Sequence, residues 1–178
     1  RDLSARMSSI LIIDDEDSYL ELCRRHMPEH SFLPPARNYR EAVELLRRHA
    51  GKVDLVLLDV HFDIPEADLL PQDKAALLAK GDASRQIERL RRSQGLHILA
   101  AIRERHPDLP VIVMTSRDDL PLETDAERLQ AEDYTYLLAD DYLDARSLKL
   151  QVDAILARRA RPAATDDEPF FWGVTGAM

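Results

Sequence analysis

Residues 9–17 read SILIIDDED, an apolar run that stops abruptly at four acidic side chains. A short run rich in β-branched residues that ends this way is typical of a buried parallel strand and its carboxyl end. The pattern returns twice: residues 53–58 (VDLVLL) lead to Asp59, and residues 111–114 (VIVM) lead to Thr115. The sequence therefore predicts three buried strands, each followed by a polar side chain.

Helical spacing of apolar residues separates these strands. It predicts helices over Tyr19–Met27, around Ala42–Leu46, over Leu96–Ile102 and around Leu148–Leu156. The remaining predicted elements are a weak strand near Phe32 and Leu33, a polar helix over residues 119–130 and a last strand over Tyr134–Leu138. Strands that alternate with helices favour a flavodoxin-like α/β fold, a doubly wound five-stranded parallel sheet with helices on both faces.

Polar side chains at neighbouring strand ends define a candidate site. Ligands of such sheets bind beyond the carboxyl ends of the strands, where Asp14, Asp15, Asp59 and Thr115 would meet. Three carboxylates at one edge repel one another, and Mg²⁺ relieves that repulsion because it prefers hard oxygen ligands. The sequence therefore predicts a magnesium site at this edge.

Composition limits the classes of function. The chain has 178 residues, close to one ordinary domain, and a net charge of −9, which argues against nucleic-acid binding because phosphate contacts need clustered Lys and Arg. No apolar run is as long as a membrane helix, and residues 1–9 have no signal-peptide core. The single cysteine, Cys23, agrees with a reducing compartment. We therefore expect a cytoplasmic protein that contacts neither nucleic acid nor membrane.

Four segments together resemble the response-regulator receiver family of two-component signalling. They are residues 11–16 (LIIDDE), 54–59 (DLVLLD), 95–103 (GLHILAAIR) and 110–116 (PVIVMTS). The resemblance implies a phosphoprotein that accepts a phosphoryl group from a sensor histidine kinase and relays the signal to an output domain or another protein, with transcription regulation as the expected output. It implies a signalling domain rather than an enzyme.

The resemblance also assigns roles to the candidate residues. Asp59 would accept the phosphoryl group, and the Thr115 hydroxyl would hydrogen-bond a phosphoryl oxygen. Asp15 would bind Mg²⁺ directly, and Asp14 would act through a water molecule or support the other ligands. Asp59 and the main-chain oxygen of His61 would complete the metal ligands.

The chain departs from the family at one functional position. Receivers have a lysine just past the last strand, where it pairs with the phosphoryl group. Here that position falls on Leu137 in one register, and on Asp140, Asp141 or Ala145 in another. The four lysines lie elsewhere, at positions 52, 74, 80 and 149, and a substitute would be Arg117 or Arg146, whose guanidinium differs in geometry from an ammonium. The missing lysine favours the hypothesis that phosphorylation is weak or replaced by another input.

A long insertion occupies residues 63–94, where the family has a short loop. Its apolar groups predict two short helices broken near Gly81, with Pro71 in the first turn of the first helix. The insertion emerges beside Asp59. A lid over the site, a homodimer contact and a surface excursion are its alternative roles.

Three segments make up the predicted domain organisation: a leader at residues 1–8, the receiver domain at residues 9–160, and a linker with an apolar C-terminal segment at residues 161–178. Residues 170–178 (FFWGVTGAM) are too apolar and aromatic for a free tail. They are expected to dock on the body or to begin another domain. They resemble the opening of the AAA+ ATPase domain of sigma-factor activators, which makes an AAA+ transcription activator the candidate output domain.

Two other functions are alternatives. One is a pseudo-receiver, an interaction module that phosphate does not switch. The other is a phosphatase resembling the haloacid dehalogenase superfamily, in which Asp15-Glu16-Asp17 would form the first motif, Thr115 the second and Asp140-Asp141 the last. The phosphatase alternative leaves Asp59 without a role.

Overall fold

The sheet has five strands, all parallel. The computed structural model describes residues 7–115, 127–129, 131–139 and 144–160. Its strands are β1 (Ser9–Ile13), β2 (Ser31–Phe32), β3 (Leu55–Asp59), β4 (Val111–Thr115) and β5 (Thr135–Ala139). They lie in the order β2-β1-β3-β4-β5, which is the flavodoxin-like order and confirms the predicted fold class.

Helices cover both faces of the sheet. They are α1 (Ser18–His26), α2 (Tyr39–Arg48), α3 (Ala75–Leu78), α4 (Ala83–Arg105) and α5 (Ala145–Ala160). Side chains alternate along each strand, so Leu55 and Leu57 of β3 join the core formed with α1 and α5. Val56 and Leu58 join the opposite core, formed with α2 and α4. The cores on the two faces of the sheet therefore fix the position of β3 and of Asp59 at its end.

The five predicted strands and the four helices predicted between and after them are present, with shifted ends. β3 begins at Leu55 rather than Val53, and the preceding Asp54 instead uses its carboxylate to accept a hydrogen bond from the Ser9 N–H at 2.9 Å. The predicted polar helix over residues 119–130 lies mostly outside the described residues, of which residues 127–129 and 131 are helical.

The insertion differs from its prediction in two ways. The first inserted helix, α3, begins at Ala75, so Pro71 precedes it instead of lying in its first turn. The second is not a separate short helix, because α4 runs without a break from Ala83 to Arg105. Its buried apolar residues continue at helical spacing from Ile87 to Ile102, and the absence of proline between its ends leaves nothing to stop it. The predicted break near Gly81 is confirmed.

The insertion is packed into the core on the α2 and α4 side. Leu69, Ile87 and Leu90 are all buried there. The Gln94 side chain is fully buried and pairs with the Leu70 backbone in both directions: its oxygen accepts the Leu70 N–H at 2.8 Å, and its amide donates to the Leu70 carbonyl at 3.1 Å. These contacts make the insertion part of the folded body.

Candidate functional site

Three carboxylates meet where β1 and β3 end. Asp14 and Asp15 follow β1, and Asp59 is the last residue of β3. One side-chain oxygen from each of the three residues lies within 4.8 Å of the other two. Asp14 is buried, and Asp15 and Asp59 are half-buried at the surface of the site. The sequence therefore placed these residues together correctly.

Asp14 resists ionisation in this setting. Burial, the negative charge of Asp59 and a hydrogen bond with that side chain raise the pKa of Asp14 to about 8, although the Glu16 N–H favours the charged form by donating to Asp14 Oδ1 at 3.1 Å. Carboxylates within hydrogen-bonding distance cannot all ionise at low cost, so this edge of the sheet favours either a shared proton or a bound cation.

The loop after β3 donates hydrogen bonds to two of the carboxylates, Asp15 and Asp59. The Asp63 N–H donates to Asp15 Oδ2 at 3.0 Å, and the Val60 N–H donates to Asp59 Oδ1 at 2.8 Å. Asp63 is the first residue of the insertion, so the insertion touches the site directly. Half-buried His61 lies between these two donors in the same loop, and its role as a main-chain ligand stays a prediction.

Arg37 fixes the loop after β1 and was missed by the sequence analysis. Its guanidinium donates to the Asp15 carbonyl oxygen at 3.0 Å and forms an ion pair with Asp17 at 2.5 Å. The chain after β2 runs beside β1, with Ala36 paired to Ile13, and this brings Arg37 to the site. No sequence motif predicts this contact, since it depends on a two-residue strand at the edge of the sheet.

Gly95 allows α4 to rest against the loop that follows Asp59. Its N–H donates to the Val60 carbonyl at 2.8 Å. A Cβ added at Gly95 would overlap the Asp59 carbonyl oxygen and lie 2.6 Å from Val60 Cα, closer than real side chains approach. Only glycine fits this crossing without moving the helix. The glycine that the sequence analysis singled out after the loop therefore has a steric role in the middle of a helix.

Thr115 closes the site on the β4 side. It is buried and is the last residue of β4, and Asp59 pairs with the preceding residue, Met114. On its other side Thr115 pairs with Ala139 of β5. The strand register therefore puts alanine beside Thr115 at the end of β5, whereas Leu137 lies two residues earlier and packs against the α2 and α4 core. Asp140 and Asp141 lie outside the described residues.

Two of the candidate cations, Lys149 and Arg146, lie on α5. Lys149 forms ion pairs with Glu29 and, at 3.1 Å, with Asp153, between α1 and α5. Arg146 is exposed in the first turn of α5, and Arg117 is outside the described residues. Glu29, Asp153 and His30 also group closely enough to hold a metal. The Lys149 ammonium already pairs with both carboxylates of that second group.

A parallel sheet in this order, with carboxylates at the ends of β1 and β3, is the fold of response-regulator receiver domains, and solved structures of that class match the chain. The receiver domain of NtrX from Brucella abortus is 21% identical with a TM-score of 0.57, over 83% of this chain and 98% of that chain. A response regulator receiver domain protein from Clostridium thermocellum is 18% identical with a TM-score of 0.59, over 86% of this chain and 97% of that chain. A longer chain of the Brucella abortus NtrX is 20% identical with a TM-score of 0.58, over 86% of this chain and 27% of that chain.

No protein-family model matches the sequence, and no curated protein matches it either. The likeness to receiver domains is therefore one of fold. Among the described helices, none has both the length and the apolar character needed to cross a membrane.

Proposed function

We propose that this chain is the receiver domain of a two-component response regulator and accepts a phosphoryl group on Asp59. The observation that supports this most strongly is the group of Asp14, Asp15 and Asp59, with oxygens within 4.8 Å of one another at the ends of β1 and β3. A purely structural role is a poor explanation for three adjacent carboxylates. Each added negative charge raises the free-energy cost of burying the group.

The residues at this edge fit Mg²⁺. They offer only oxygen ligands, which Mg²⁺ prefers, and burial together with the charge of Asp59 raises the pKa of Asp14, a cost that a bound cation would relieve. Asp15, Asp59 and the His61 main-chain oxygen would bind the ion, with Asp14 acting through water. When bound, Mg²⁺ neutralises charge on the carboxylates and on the incoming phosphoryl oxygens.

The chain's own residues position the groups that react. A carboxylate oxygen of Asp59 forms a bond to phosphorus while the bond from phosphorus to the donor's histidine nitrogen breaks. The electron pair of the broken bond stays on that nitrogen, which leaves as neutral imidazole when the other ring nitrogen is protonated. Thr115 then donates its hydroxyl hydrogen to a phosphoryl oxygen and reports the modification by moving inward.

The proposal extends to partners and location. A sensor histidine kinase is the expected donor, and an output domain or separate protein is the expected receiver of the signal, in the cytoplasm. The NtrX match covers only 27% of its longer chain, so that protein has much chain beyond its receiver domain. An AAA+ output module for the present chain is suggested by residues 170–178, which lie outside the described residues.

One observation favours the pseudo-receiver as a second candidate. The position beside Thr115 at the end of β5 is Ala139, and Lys149 is engaged with Glu29 and Asp153. In a pseudo-receiver that has no cation at this position, the transferred charge loses one stabilising partner, and phosphorylation is slow. The rate at which Asp59 is modified therefore separates the two candidates.

The test is incubation with a small acyl phosphate and Mg²⁺, followed by intact-mass measurement. A working receiver gains one phosphoryl group, and the Asp59→Asn variant gains none. Asp108→Asn is the matched control, since Asp108 is an exposed aspartate beyond the opposite ends of the strands. No modification of wild type at saturating donor, with normal modification of an unrelated receiver in parallel, supports the pseudo-receiver.

The phosphatase alternative has a different signature. Turnover of a generic phosphomonoester that survives Asp59→Ala but not Asp15→Ala would support it. The geometry argues against it, because Asp59 lies within the carboxylate group and hydrogen-bonds Asp14, whereas that reaction gives Asp59 no role.

A further inference from the structure

The loop that follows β3 is hydrogen-bonded to α4 through its backbone. We call residues 60–64 the Asp59 loop. The Gly95 N–H donates to the Val60 carbonyl at 2.8 Å, and the Phe62 N–H donates to the Arg91 carbonyl at 2.9 Å. In a regular helix the N–H of one residue pairs with the carbonyl four residues before it, as Gly95 would with Arg91. The Asp59 loop therefore bonds to both groups of one helical step.

The Arg91 side chain adds a third contact between α4 and this loop. Its Nε–H donates to the Ile64 carbonyl at 3.0 Å, and one of its terminal nitrogens lies 3.6 Å from a Glu88 oxygen. Phe62 and Ile64 are buried in the same core as Ile87 of α4. Arg91 belongs to the insertion, so the Asp59 loop is held on one side by the inserted part of α4.

The same loop contacts the carboxylates on its other side. Val60 bonds in both directions: its N–H donates to Asp59 Oδ1 at 2.8 Å, whereas its carbonyl accepts from α4. The Asp63 N–H donates to Asp15 Oδ2 at 3.0 Å. His61, whose main-chain oxygen is a proposed Mg²⁺ ligand, lies between these donors in the chain. The Asp59 loop therefore connects the insertion with the carboxylate site.

Contacts that hold this loop in place should strengthen cation binding. Mg²⁺ demands near-ideal octahedral geometry, so its protein ligands have to be held at fixed positions. A loop that is already ordered loses less conformational entropy when it binds a ligand, and this raises the affinity. Coupling of this kind is reciprocal, so a cation that binds more tightly to the ordered loop also makes the loop and its contacts with α4 more stable.

We infer that the insertion is a structural part of the cation site. Through the Arg91 side chain and the Asp63 N–H, it holds the Asp59 loop in the geometry that binds Mg²⁺, and the insertion is stabilised in return when the ion is bound. Arg91 is thereby a positioning residue, since it acts on the ligands through the loop. The inference rests on the proposed magnesium site and deepens it, because it gives residues 63–94 a role in that site.

Two neighbouring arginines of α4 test the inference. Arg91→Ala removes the hydrogen bond to the Ile64 carbonyl, whereas Arg92→Ala is the matched control, since Arg92 is exposed on the same helix. Each variant loses one positive charge, a change that by itself favours Mg²⁺ binding because it removes Coulomb repulsion. In calorimetric titration with MgCl₂, Arg91→Ala should bind Mg²⁺ several-fold more weakly than wild type, and Arg92→Ala should bind it at least as tightly as wild type.

Hydrogen exchange followed by mass spectrometry tests the reciprocal effect on wild type. Saturating MgCl₂, compared with KCl at equal ionic strength, should slow exchange several-fold in residues 60–70 and 83–95. Exchange in α5 is the internal reference, because α5 packs on the opposite face of the sheet and its exchange should change little. With saturating Mg²⁺, the slowing in the insertion should be reduced in Arg91→Ala and should persist in Arg92→Ala.

The outcomes separate the inference from the proposed function. Wild type that binds no Mg²⁺ would overturn both. Mg²⁺ binding of equal affinity in the two variants, or an insertion whose exchange Mg²⁺ leaves unchanged, would overturn the inference alone. Slowing of equal size in α5 would also overturn it, because the ion would then stabilise the whole fold. Circular dichroism checks that both variants fold, and the exchange measurement on wild type needs no variant.

Discussion

Replacing Gly95 by alanine should destabilise the protein, although the same change stabilises most helices. In a helix interior, alanine is favoured over glycine by about 1 kcal/mol. At this position the new Cβ would lie 2.6 Å from Val60 Cα and 2.8 Å from the Asp59 carbonyl carbon, where ordinary contacts begin at 3.4 Å. Both neighbours are backbone atoms of a loop fixed by β3, so α4 has to move away by about 1 Å.

The magnitude follows from three effects. Overpacking of a well-packed contact costs about 1–3 kcal/mol, and loss of the Gly95 N–H to Val60 hydrogen bond costs about 1 kcal/mol. The gain in helix propensity offsets about 1 kcal/mol. The free energy of unfolding should therefore fall by about 1–3 kcal/mol.

Urea denaturation followed by far-ultraviolet circular dichroism measures this change. Gly81→Ala is the matched control, because the only atom near its added Cβ is Gln86 Nε2 at 3.8 Å and its backbone is not left-handed. That control should be neutral or stabilise by up to about 1 kcal/mol. If Gly95→Ala were as stable as wild type, the close approach of α4 to the Asp59 loop would be refuted.

Three further substitutions test the site and its supports. The unfolding free energy of metal-free wild type, compared with that of Asp14→Asn, should fall as pH rises from 3.8 to about 8. The fall should be at most about 1.4 kcal/mol per pH unit, because the folded state keeps a proton that the unfolded chain has lost. Parallel pH profiles of the two proteins in urea titrations would contradict this prediction. Gln94→Ala should cost about 2 kcal/mol in thermal or urea unfolding, since both Leu70 backbone groups lose a partner, and unchanged stability would show that water replaces the amide. Arg37→Ala should weaken Mg²⁺ binding several-fold in calorimetric titration by releasing the Asp15 carbonyl, and an unchanged affinity would remove Arg37 from the site.

The strands and the carboxylate site could be predicted because the deciding information is local. Buried parallel strands are continuous apolar runs, and the residue that ends each run must lie at the same edge of the sheet. Asp14, Asp15, Asp59 and Thr115 could therefore be brought together without knowing how any helix packs.

The course of α4 was misread although its signal was present. The prediction kept a short inserted helix apart from the helix over Leu96–Ile102, but the structure joins them into one helix that begins after the break near Gly81. Apolar spacing runs through Gly95, from Ile87 and Leu90 to Ile98, and this continuity outweighs the low helix propensity of one glycine. The reason for glycine at this position is a contact across the structure, which local propensity does not contain.

The contacts of Arg37 and Gln94 lay beyond sequence reasoning for another reason. Each joins segments that are distant along the chain: Arg37 reaches Asp15, and Gln94 reaches Leu70. A polar residue on a helix is ordinarily assigned to the solvent, and only the packed insertion shows that Gln94 is buried. The alanine at the end of β5 likewise depends on strand register, which one residue of slip would change.

The unbroken length of α4 has a mechanical consequence. Its 23 residues form a rod about 35 Å long, and Gly95 rests on the Asp59 loop near the middle of that rod. If α4 tilts by about 3° about its contact with the Asp59 loop, each end of the helix is displaced by about 1 Å, in opposite directions. One end belongs to the insertion and the other is Arg105, so a small rearrangement at Asp59 would move the insertion and Arg105 in opposite directions.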